Sequence, residues 1–287
     1  RPPPPPPPPP RLRRRQRQMC IRDRIKTAHE MGHKNSRIEK LLAWIVLAVP
    51  AYGHFSIEDN RGHHKDVSTP SDPASSRMGE SIYRFALREI PGAFRRAWQL
   101  ETARLRLRDL PAWHYSNPIV QSYALTAVIT LLLLLTLGWK TLPFLLIHNV
   151  FAYWQLTSAN YIEHYGLLRK RDADGRYERC QPYHSWNSNH IFSNLVLFHL
   201  ERHSDHHTHP ARRYQSLRNF EKLPSLPNGY LGKYLLAYIP QIWLSIMDPR
   251  LKELPHFGGD LQNVNIEPTA RTGIERRWGK SSEVTAA

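Results

Sequence analysis

The sequence predicts an all-α protein that spans a membrane several times and carries a histidine-rich cap for two metal ions on its cytoplasmic side. Two patterns predict this fold class: long stretches without a charged residue, and histidines gathered in four short groups near the ends of those stretches. A third observation, only two cysteines among 287 residues, excludes a disulfide framework and any metal site built from cysteine pairs.

Residues 1–24 differ from the rest of the chain in composition. A run of prolines is followed by an arginine-rich segment, and neither contains enough apolar residues to form a core. We expect a disordered head, or an artefactual extension, and exclude it from the fold. The folded domain is expected over 25–257, and a flexible tail over 258–287, where apolar residues are few.

Three apolar stretches predict membrane-spanning helices near 41–57, 120–137 and 141–159. The second and third lie in a region whose only charged residue is Lys140, in the short turn between them. Each of these two is long enough to cross the ~30 Å hydrocarbon core of a bilayer, so the pair predicts an antiparallel hairpin. The first stretch is shorter and contains Pro50, which predicts a short or kinked helix within the membrane.

Basic residues flank both outer ends of this hairpin, at Arg104 and Arg108 before it and at Arg169 and Arg171 after it. By the positive-inside rule, both ends face the cytoplasm. This predicts a multi-pass protein of the cell inner membrane, embedded in the lipid bilayer, with its metal site facing the cytoplasm. The same rule accounts for the net charge of +16, and no interleaved basic and aromatic residues indicate nucleic-acid binding.

Half of the 16 histidines stand in four short groups. The groups are His29 with His33, His63 with His64, His164 alone, and His203 with His206 and His207. Spacings of three and four residues place side chains on one face of a helix. Imidazole suits iron, zinc and copper, and one metal ion is commonly held by three or four protein ligands, so eight histidines predict two ions. Asp59 stands four residues before His63 and is a ninth candidate ligand, aimed toward the same point.

Residues next to these groups are candidates to accept a hydrogen bond from a ligand imidazole and so fix its orientation. They are Glu30, Glu58, Glu163 and Asp205, together with His184. We expect no catalytic residue beyond the metal ligands, because the bound metal carries the chemistry.

Three residues of the predicted span 141–159 are candidates for a substrate channel: His148, Phe151 and Trp154. For His148, a hydrogen bond inside the helix bundle is the favoured interpretation, and a place in the channel is the alternative. A histidine-rich metal transporter is a different functional class. Its ligands would lie near the middle of the membrane, whereas the four groups flank the predicted spans.

The four groups resemble the motifs of the membrane-bound, non-haem di-iron alkane monooxygenases. HEMGHK at 29–34, EDNRGHH at 58–64, NYIEHYGLLR at 160–169 and ERHSDHHTHPARRYQSLR at 201–218 carry the resemblance. It implies two iron ions, O₂ as co-substrate, and n-alkanes hydroxylated at the terminal methyl group to 1-alkanols. It also implies that rubredoxin, itself reduced by rubredoxin reductase, supplies electrons as a separate chain.

Two features depart from that family's pattern. The family usually has a histidine where this chain has Asp59, and it has further spans before the first motif, so we expect an N-terminally truncated chain. Two alternatives stay open: a membrane fatty-acid desaturase or hydroxylase, and an inactive fragment of the alkane enzyme. The three residues between Asp59 and His63, and the NYIEHYG element, favour the alkane enzyme over the desaturases.

Overall fold

The computed structural model describes residues 24–34, 36–220, 223–255, 257–258 and 260–278. The predicted head over 1–24 lies outside these residues except for its last position. Every regular element in the described part of the chain is helical, and the β-type contacts there are isolated bridges. The prediction of an all-α fold is confirmed.

The helices follow one another as α1 (Arg24–Gly32), α2 (Arg37–Ala48), α3 (Phe55–Glu58), a π-helical turn (Asp59–His63), α4 (His64–Asp66), α5 (Ile82–Arg106), α6 (Pro118–Leu137), α7 (Thr141–His164), α8 (Ile191–Val196), α9 (His203–Thr208), α10 (Tyr230–Ala237), α11 (Pro240–Lys252) and α12 (Arg271–Trp278). Single 3₁₀ turns occur at Pro182–His184, Tyr214–Ser216 and Leu261–Asn263.

The long helices α5 and α6 begin at polar caps. The Ser81 side chain accepts a hydrogen bond from the Arg84 N–H at the start of α5, and the Asn117 side chain accepts one from the Ile119 N–H at the start of α6. These bonds satisfy N–H groups that have no partner within the helix. α6 ends at Gly138, whose φ of +82° suits glycine, and α7 follows after a short turn and packs against α6.

One helix in the described part of the chain, Pro118–Leu137, is long and apolar enough to cross a membrane, judged by length and composition. Only 11% of its most apolar window is buried, which distinguishes it from the core helix of a globular domain. The first half of α7 also exposes large apolar side chains, with Phe144, Ile147 and Phe151 each more than half exposed.

The predicted helix over 41–57 is divided by a turn. α2 ends at Ala48, the Tyr52 N–H donates to the Leu47 carbonyl at 2.8 Å, and Ala51 has a φ of +57°. Pro50 has no N–H to continue the helical hydrogen bonds. The chain therefore changes direction here, and a new helix begins at Phe55 and leads into the candidate ligands.

The main core surrounds the end of α7. Tyr161, Tyr165, Trp186, Trp243 and Met247 are each at most 1% exposed and pack in one cluster. A buried aromatic side chain removes about 150–250 Å² from water, which contributes at most about 4–6 kcal/mol at about 25 cal/mol per Å². This packing fixes the end of α7, which carries one of the candidate ligands.

Residues 260–278 do not form the flexible tail that their composition predicts. Ile266 pairs with Met78 in a parallel bridge, and Val264, Ile266 and Ile274 are all buried in the main core. The apolar residues of this segment are few, but each of these three is placed against the core, so the average composition was misleading.

Candidate metal centre

The eight grouped histidines converge on one centre and divide there into two sets. The first set is His29, His33, His64 and His206, and the second set is His63, His164, His203 and His207. Within each set, the candidate ligand atoms all lie within 4.8 Å of one another. Members of both sets line a small chamber of about 20 Å³, which we call the metal chamber.

Each set takes its rings from several elements. The first set takes His29 from α1 and His33 from the turn directly after it, with ring centroids 4.8 Å from each other. On α9, the neighbours His206 and His207 enter different sets, because successive side chains on a helix point in directions about 100° apart. α9 therefore lies between the two sets and contributes to both.

Asp59 lies with the first set rather than with His63. Its Oδ2 atom is 3.0 Å from His33 Nε2 and 3.4 Å from His29 Nε2, and its Oδ1 atom is 3.9 Å from His64 Nε2. In an α-helix, the spacing of four residues would have aimed Asp59 and His63 at one point. The turn over 59–63 is π-helical instead, and its wider turn brings Asp59 beside His64 and directs His63 into the second set.

These distances are those expected between two donors of one metal ion. Bonds of roughly 2.1 Å, the length of a zinc–imidazole bond, separate two donors by about 3.0 Å at a right angle and about 3.4 Å at the tetrahedral angle. Imidazole nitrogens with one carboxylate are a donor set that suits iron, zinc or copper. The residues present therefore fit two metal ions, one in each set.

Burial favours the neutral form of most of these imidazoles, which is the form that binds metal. It lowers the pKa well below its usual value, and neighbouring imidazoles lower it further, for His64, His164, His203, His206 and His207. For Asp59, burial raises the pKa, but the charges and hydrogen bonds of His29 and His33 outweigh burial and lower it well below its usual value. Asp59 therefore offers an anionic carboxylate to the first set.

The acceptor that orients His63 is Asp72, which the sequence did not single out. Asp72 Oδ2 lies 2.9 Å from His63 Nδ1, so this nitrogen donates and Nε2 is left for the second set. Burial lowers the pKa of His63, but the charge and hydrogen bond of Asp72 outweigh it and raise the pKa to about 9. Arg96 donates to Asp72 Oδ1 at 2.7 Å, and Ser75 donates to Oδ2 at 2.6 Å. Asp72 stands in a loop, where no helical spacing connects it to the histidines.

Of the predicted acidic acceptors in the described residues, Glu163 is the one that reaches a ligand ring. Its Oε2 atom lies 3.3 Å from His203 Nε2, and Glu163 lines the metal chamber. It therefore approaches the same nitrogen that faces the second set. The other predicted acceptors bind cations instead: Glu30 pairs with Lys34, Glu58 with Arg96, and Asp205 with Arg212 and Arg218.

The ring of His184 interacts with Glu178 and with the backbone of Gln181. The ring is fully buried, and its Nε2 atom lies 3.2 Å from Glu178 Oε1 while its Nδ1 atom accepts from the Gln181 N–H. Its backbone carbonyl is the part that interacts with His164. The prediction that His184 supports a ligand thus concerns its backbone in the structure, which no sequence pattern could have indicated.

The three candidate channel residues of α7 do not line the metal chamber. His148 Nδ1 lies 3.1 Å from the Oδ1 atom of Asn149, Phe151 is 59% exposed, and Trp154 stacks on Tyr83. The residues of α7 that do line the chamber lie nearer to its end: Leu156, Ala159, Asn160 and Glu163.

A larger open cavity of about 500 Å³, which we call the aromatic cleft, lies beside the chamber. It is lined by His54, Ile90, Pro91, Phe94, Arg95, Trp98, Tyr123 and Tyr153. Phe55, the residue after His54, lines the metal chamber instead, so the two cavities lie on either side of this segment. Sequence reasoning missed the cleft because its walls come from α5, α6, α7 and the turn before α3.

Comparisons with known proteins identify the family of the chain. A sequence profile of the fatty acid desaturase family matches residues 24–241. The chain is 56% identical over 258 residues to an alkane 1-monooxygenase of Ectopseudomonas oleovorans, covering 90% of this chain and 64% of that protein. It is 59% identical over 254 residues to an alkane 1-monooxygenase of Pseudomonas putida, covering 88% of this chain and 63% of that protein.

A third relative, alkane 1-monooxygenase 1 of Alcanivorax borkumensis, is 54% identical over 260 residues, or 90% of this chain and 64% of that protein. The chain thus spans less than two thirds of the length of these curated relatives. The matched region contains all eight grouped histidines and Asp59.

Proposed function

The chain belongs to the fatty acid desaturase family, and we propose that it hydroxylates n-alkanes with O₂ at a centre of two iron ions. The reaction converts the terminal methyl group to a 1-alkanol, with electrons from rubredoxin and its reductase. One observation carries this proposal: two sets of four imidazoles meet in one chamber, in a chain that is 54% to 59% identical to proteins named alkane 1-monooxygenase.

Each set is assigned one iron ion. The first ion takes His29, His33, His64, His206 and Asp59 as ligands, and the second takes His63, His164, His203 and His207. The bound iron supplies the oxidising power that breaks an unactivated C–H bond, which no side-chain acid or base provides. The protein orients the imidazoles, keeps most of them neutral and limits the chamber to about the space of one water molecule.

The size of the metal chamber supports attack at the end of a chain. Its volume of about 20 Å³ is little more than one water molecule requires. Apolar side chains of Phe55, Leu156 and Ala159 form part of its wall. A terminal methyl group fits this space better than the middle of an alkyl chain does.

We place the protein in the cell inner membrane as a multi-pass protein, with the metal centre on the cytoplasmic side. The exposed apolar surfaces of α6 and of the first half of α7 support contact with lipid. The basic residues before α6 and after α7 support this orientation. An n-alkane dissolved in the bilayer then reaches the centre without crossing water.

Rubredoxin is proposed to dock over the loop 209–218, which covers α9. Arg212 and Arg218 hold Asp205 on α9, and Arg213 is exposed. This arrangement presents positive charge close to ligands of both iron ions, and such charge favours the approach of an acidic electron donor.

The proposal is tested on the chain purified in detergent and loaded with ferrous iron. We expect about two iron ions per chain, as two sets of ligands require, and 1-octanol from n-octane when rubredoxin, its reductase, NADH and O₂ are present. The variant His203→Ala is the control for ligand loss. Stoichiometric zinc without O₂-dependent turnover would contradict the proposal.

Two further results would identify the alternatives. A double bond or an internal hydroxyl group introduced into a fatty-acyl substrate, with no alkanol from octane, would make the protein a desaturase or hydroxylase. Bound iron without any oxidised product would make it an inactive fragment of the alkane enzyme.

A further inference from the structure

We propose that Glu89 passes protons from the aromatic cleft to the metal chamber through Asn160. This inference rests on the proposed function, because O₂ reduction at the centre consumes protons. Glu89 lies on α5, is 1% exposed, and belongs to neither the first nor the second set.

Glu89 is one side chain away from the metal chamber. Its Oε2 atom accepts a hydrogen bond from the Thr157 hydroxyl at 2.7 Å, and its Oε1 atom accepts one from Asn160 Nδ2 at 3.2 Å. Asn160 lines the chamber and stands one helical turn before His164 on α7. The carboxyl group is thus fixed at both oxygens, directly behind the chamber wall.

Residues next to Glu89 line the aromatic cleft, although Glu89 itself does not. Ile90, the next residue of α5, lines the cleft, and so does Tyr153, one turn before Thr157 on α7. The cleft has a volume of about 500 Å³ and is open to its surroundings. Glu89 is therefore buried where α5 packs on α7, with residues of the open cleft and of the nearly closed chamber adjacent to it.

The surroundings of Glu89 favour a carboxyl group that carries a proton. Burial raises its pKa, the hydrogen bonds from Thr157 and Asn160 lower it in part, and the overall direction is upward. The charged groups that face it are Asp72, which raises the pKa of Glu89, and Arg88, which lowers it. Two further titratable groups face it, Tyr52 from the turn after α2 and Tyr153 from α7. Among the described residues, no cation lies within ion-pair distance of its oxygens.

The proposed reaction requires two protons: RH + O₂ + 2 e⁻ + 2 H⁺ gives ROH + H₂O. Reduced rubredoxin supplies both electrons. Glu89 gives up one proton, which a water molecule bound to Asn160 carries to the oxygen atom that leaves as water. The carboxylate then takes a proton from solvent in the cleft, and the second turn of this cycle delivers the second proton.

The test compares Glu89→Gln, which keeps the size of the side chain but has no acidic proton, with Glu89→Asp, which restores one. We expect Glu89→Gln to keep the iron content of the wild type and to form alkanol about a hundredfold more slowly, the low end of what general acid catalysis contributes. It should also release hydrogen peroxide, because reduced oxygen leaves before it is protonated productively. Glu89→Asp should recover part of the rate and of the ratio of alkanol to O₂ consumed.

Glu80→Gln is the matched control, since Glu80 is equally buried but pairs with Arg88 at 2.9 Å. It should leave the ratio of alkanol to O₂ consumed unchanged. A readout independent of activity is the infrared difference between wild type and Glu89→Gln at pH 7. It should contain the carbonyl band of a protonated carboxyl group that shifts in D₂O.

An unaltered rate and ratio in Glu89→Gln would overturn the relay, and so would the absence of the protonated-carboxyl band. If the wild type forms no alkanol at all, the proposed function itself fails, which is a separate result from a wild type that works and a glutamine variant that works equally well.

Discussion

Replacing Asp59 tests the least expected donor of the centre. Its carboxylate oxygens lie 3.0 Å from His33 Nε2 and 3.4 Å from His29 Nε2, the separations of donors that share one metal ion. Asp59→Ala removes this donor and its negative charge and leaves four imidazoles in the first set. Asp59→His replaces it with a neutral imidazole, so that the first set contains five.

The size of the effect follows from which donor is lost. Changing a residue that only supports a ligand weakens metal binding about 10- to 100-fold, and a direct donor should cost at least that much. The second set keeps all its ligands. We therefore expect Asp59→Ala to retain about one iron ion per chain rather than about two, with little alkanol formed, and Asp59→His to retain both ions and turnover.

The assay is iron content per chain after dialysis against a weak chelator, together with alkanol formation from n-octane. Asp66→Ala is the control, because Asp66 lies in the same segment but is 34% exposed and faces Arg96 rather than the histidines. If Asp59→Ala and Asp59→His both match the wild type in iron content and turnover, Asp59 is no ligand and the geometric argument fails.

Three further outcomes are expected. Asp72→Asn should weaken iron binding about 10- to 100-fold in a chelator competition, because the group that orients His63 becomes a neutral amide. Gly166→Ala should lower the melting temperature more than Gly175→Ala. Both glycines have a positive φ, of +70° and +74°, so the backbone strain is similar. An added Cβ at 166 would clash with a methyl group of Leu251, whereas one at 175 would meet no other atom within 4 Å. Burial raises the pKa of Asp248 to about 6, so the contribution of Asp248 to the free energy of unfolding falls as pH rises from about 4 to about 6. The difference in free energy of unfolding between Asp248→Asn and wild type, measured by chemical denaturation, should therefore shift in favour of the variant by up to about 2–3 kcal/mol from pH 4 to pH 7.

The spacing of the histidines was enough to predict which histidines come together, but not how they divide into two sets. His29 and His33 enter the same set, as a helical spacing of four requires. Asp59 and His63 have the same spacing and enter different sets, because the turn that carries them is π-helical. A π-turn adds one residue to a helical turn for reasons of tertiary packing, and no local residue pattern indicates where it occurs.

Contacts between distant segments explain the other differences. Asp72 orients His63 from a loop, where neither helical nor strand periodicity applies. The aromatic cleft is likewise formed only when several helices meet. At the end of the chain, Ile274 is buried by packing on the main core although its neighbours are polar. In each case the local sequence is compatible with several environments, and the tertiary contact selects one of them.

The position of α9 makes the two metal sites interdependent. His206 belongs to the first set, whereas His203 and His207 belong to the second, so a movement of this short helix alters both sets at once. The loop 209–218 binds α9 through Asp205, a residue of α9 that accepts hydrogen bonds from Arg212 and Arg218 of the loop. That loop is in turn bound to the turn after α1, because the Lys34 ammonium group donates hydrogen bonds to the loop's backbone carbonyls at 3.3 and 3.0 Å.

Metal bound by the second set would therefore hold α9, and with it His206, in the geometry that the first set needs. The converse holds as well, because a coupling free energy between two sites acts equally in both directions. His29 on α1 and His33 just after it belong only to the first set, so they respond to this coupling without adding a link of their own. The loop that carries Arg213 on the surface is thus connected through Asp205 to candidate ligands of both sets, which supports the proposed docking of the electron donor on this loop.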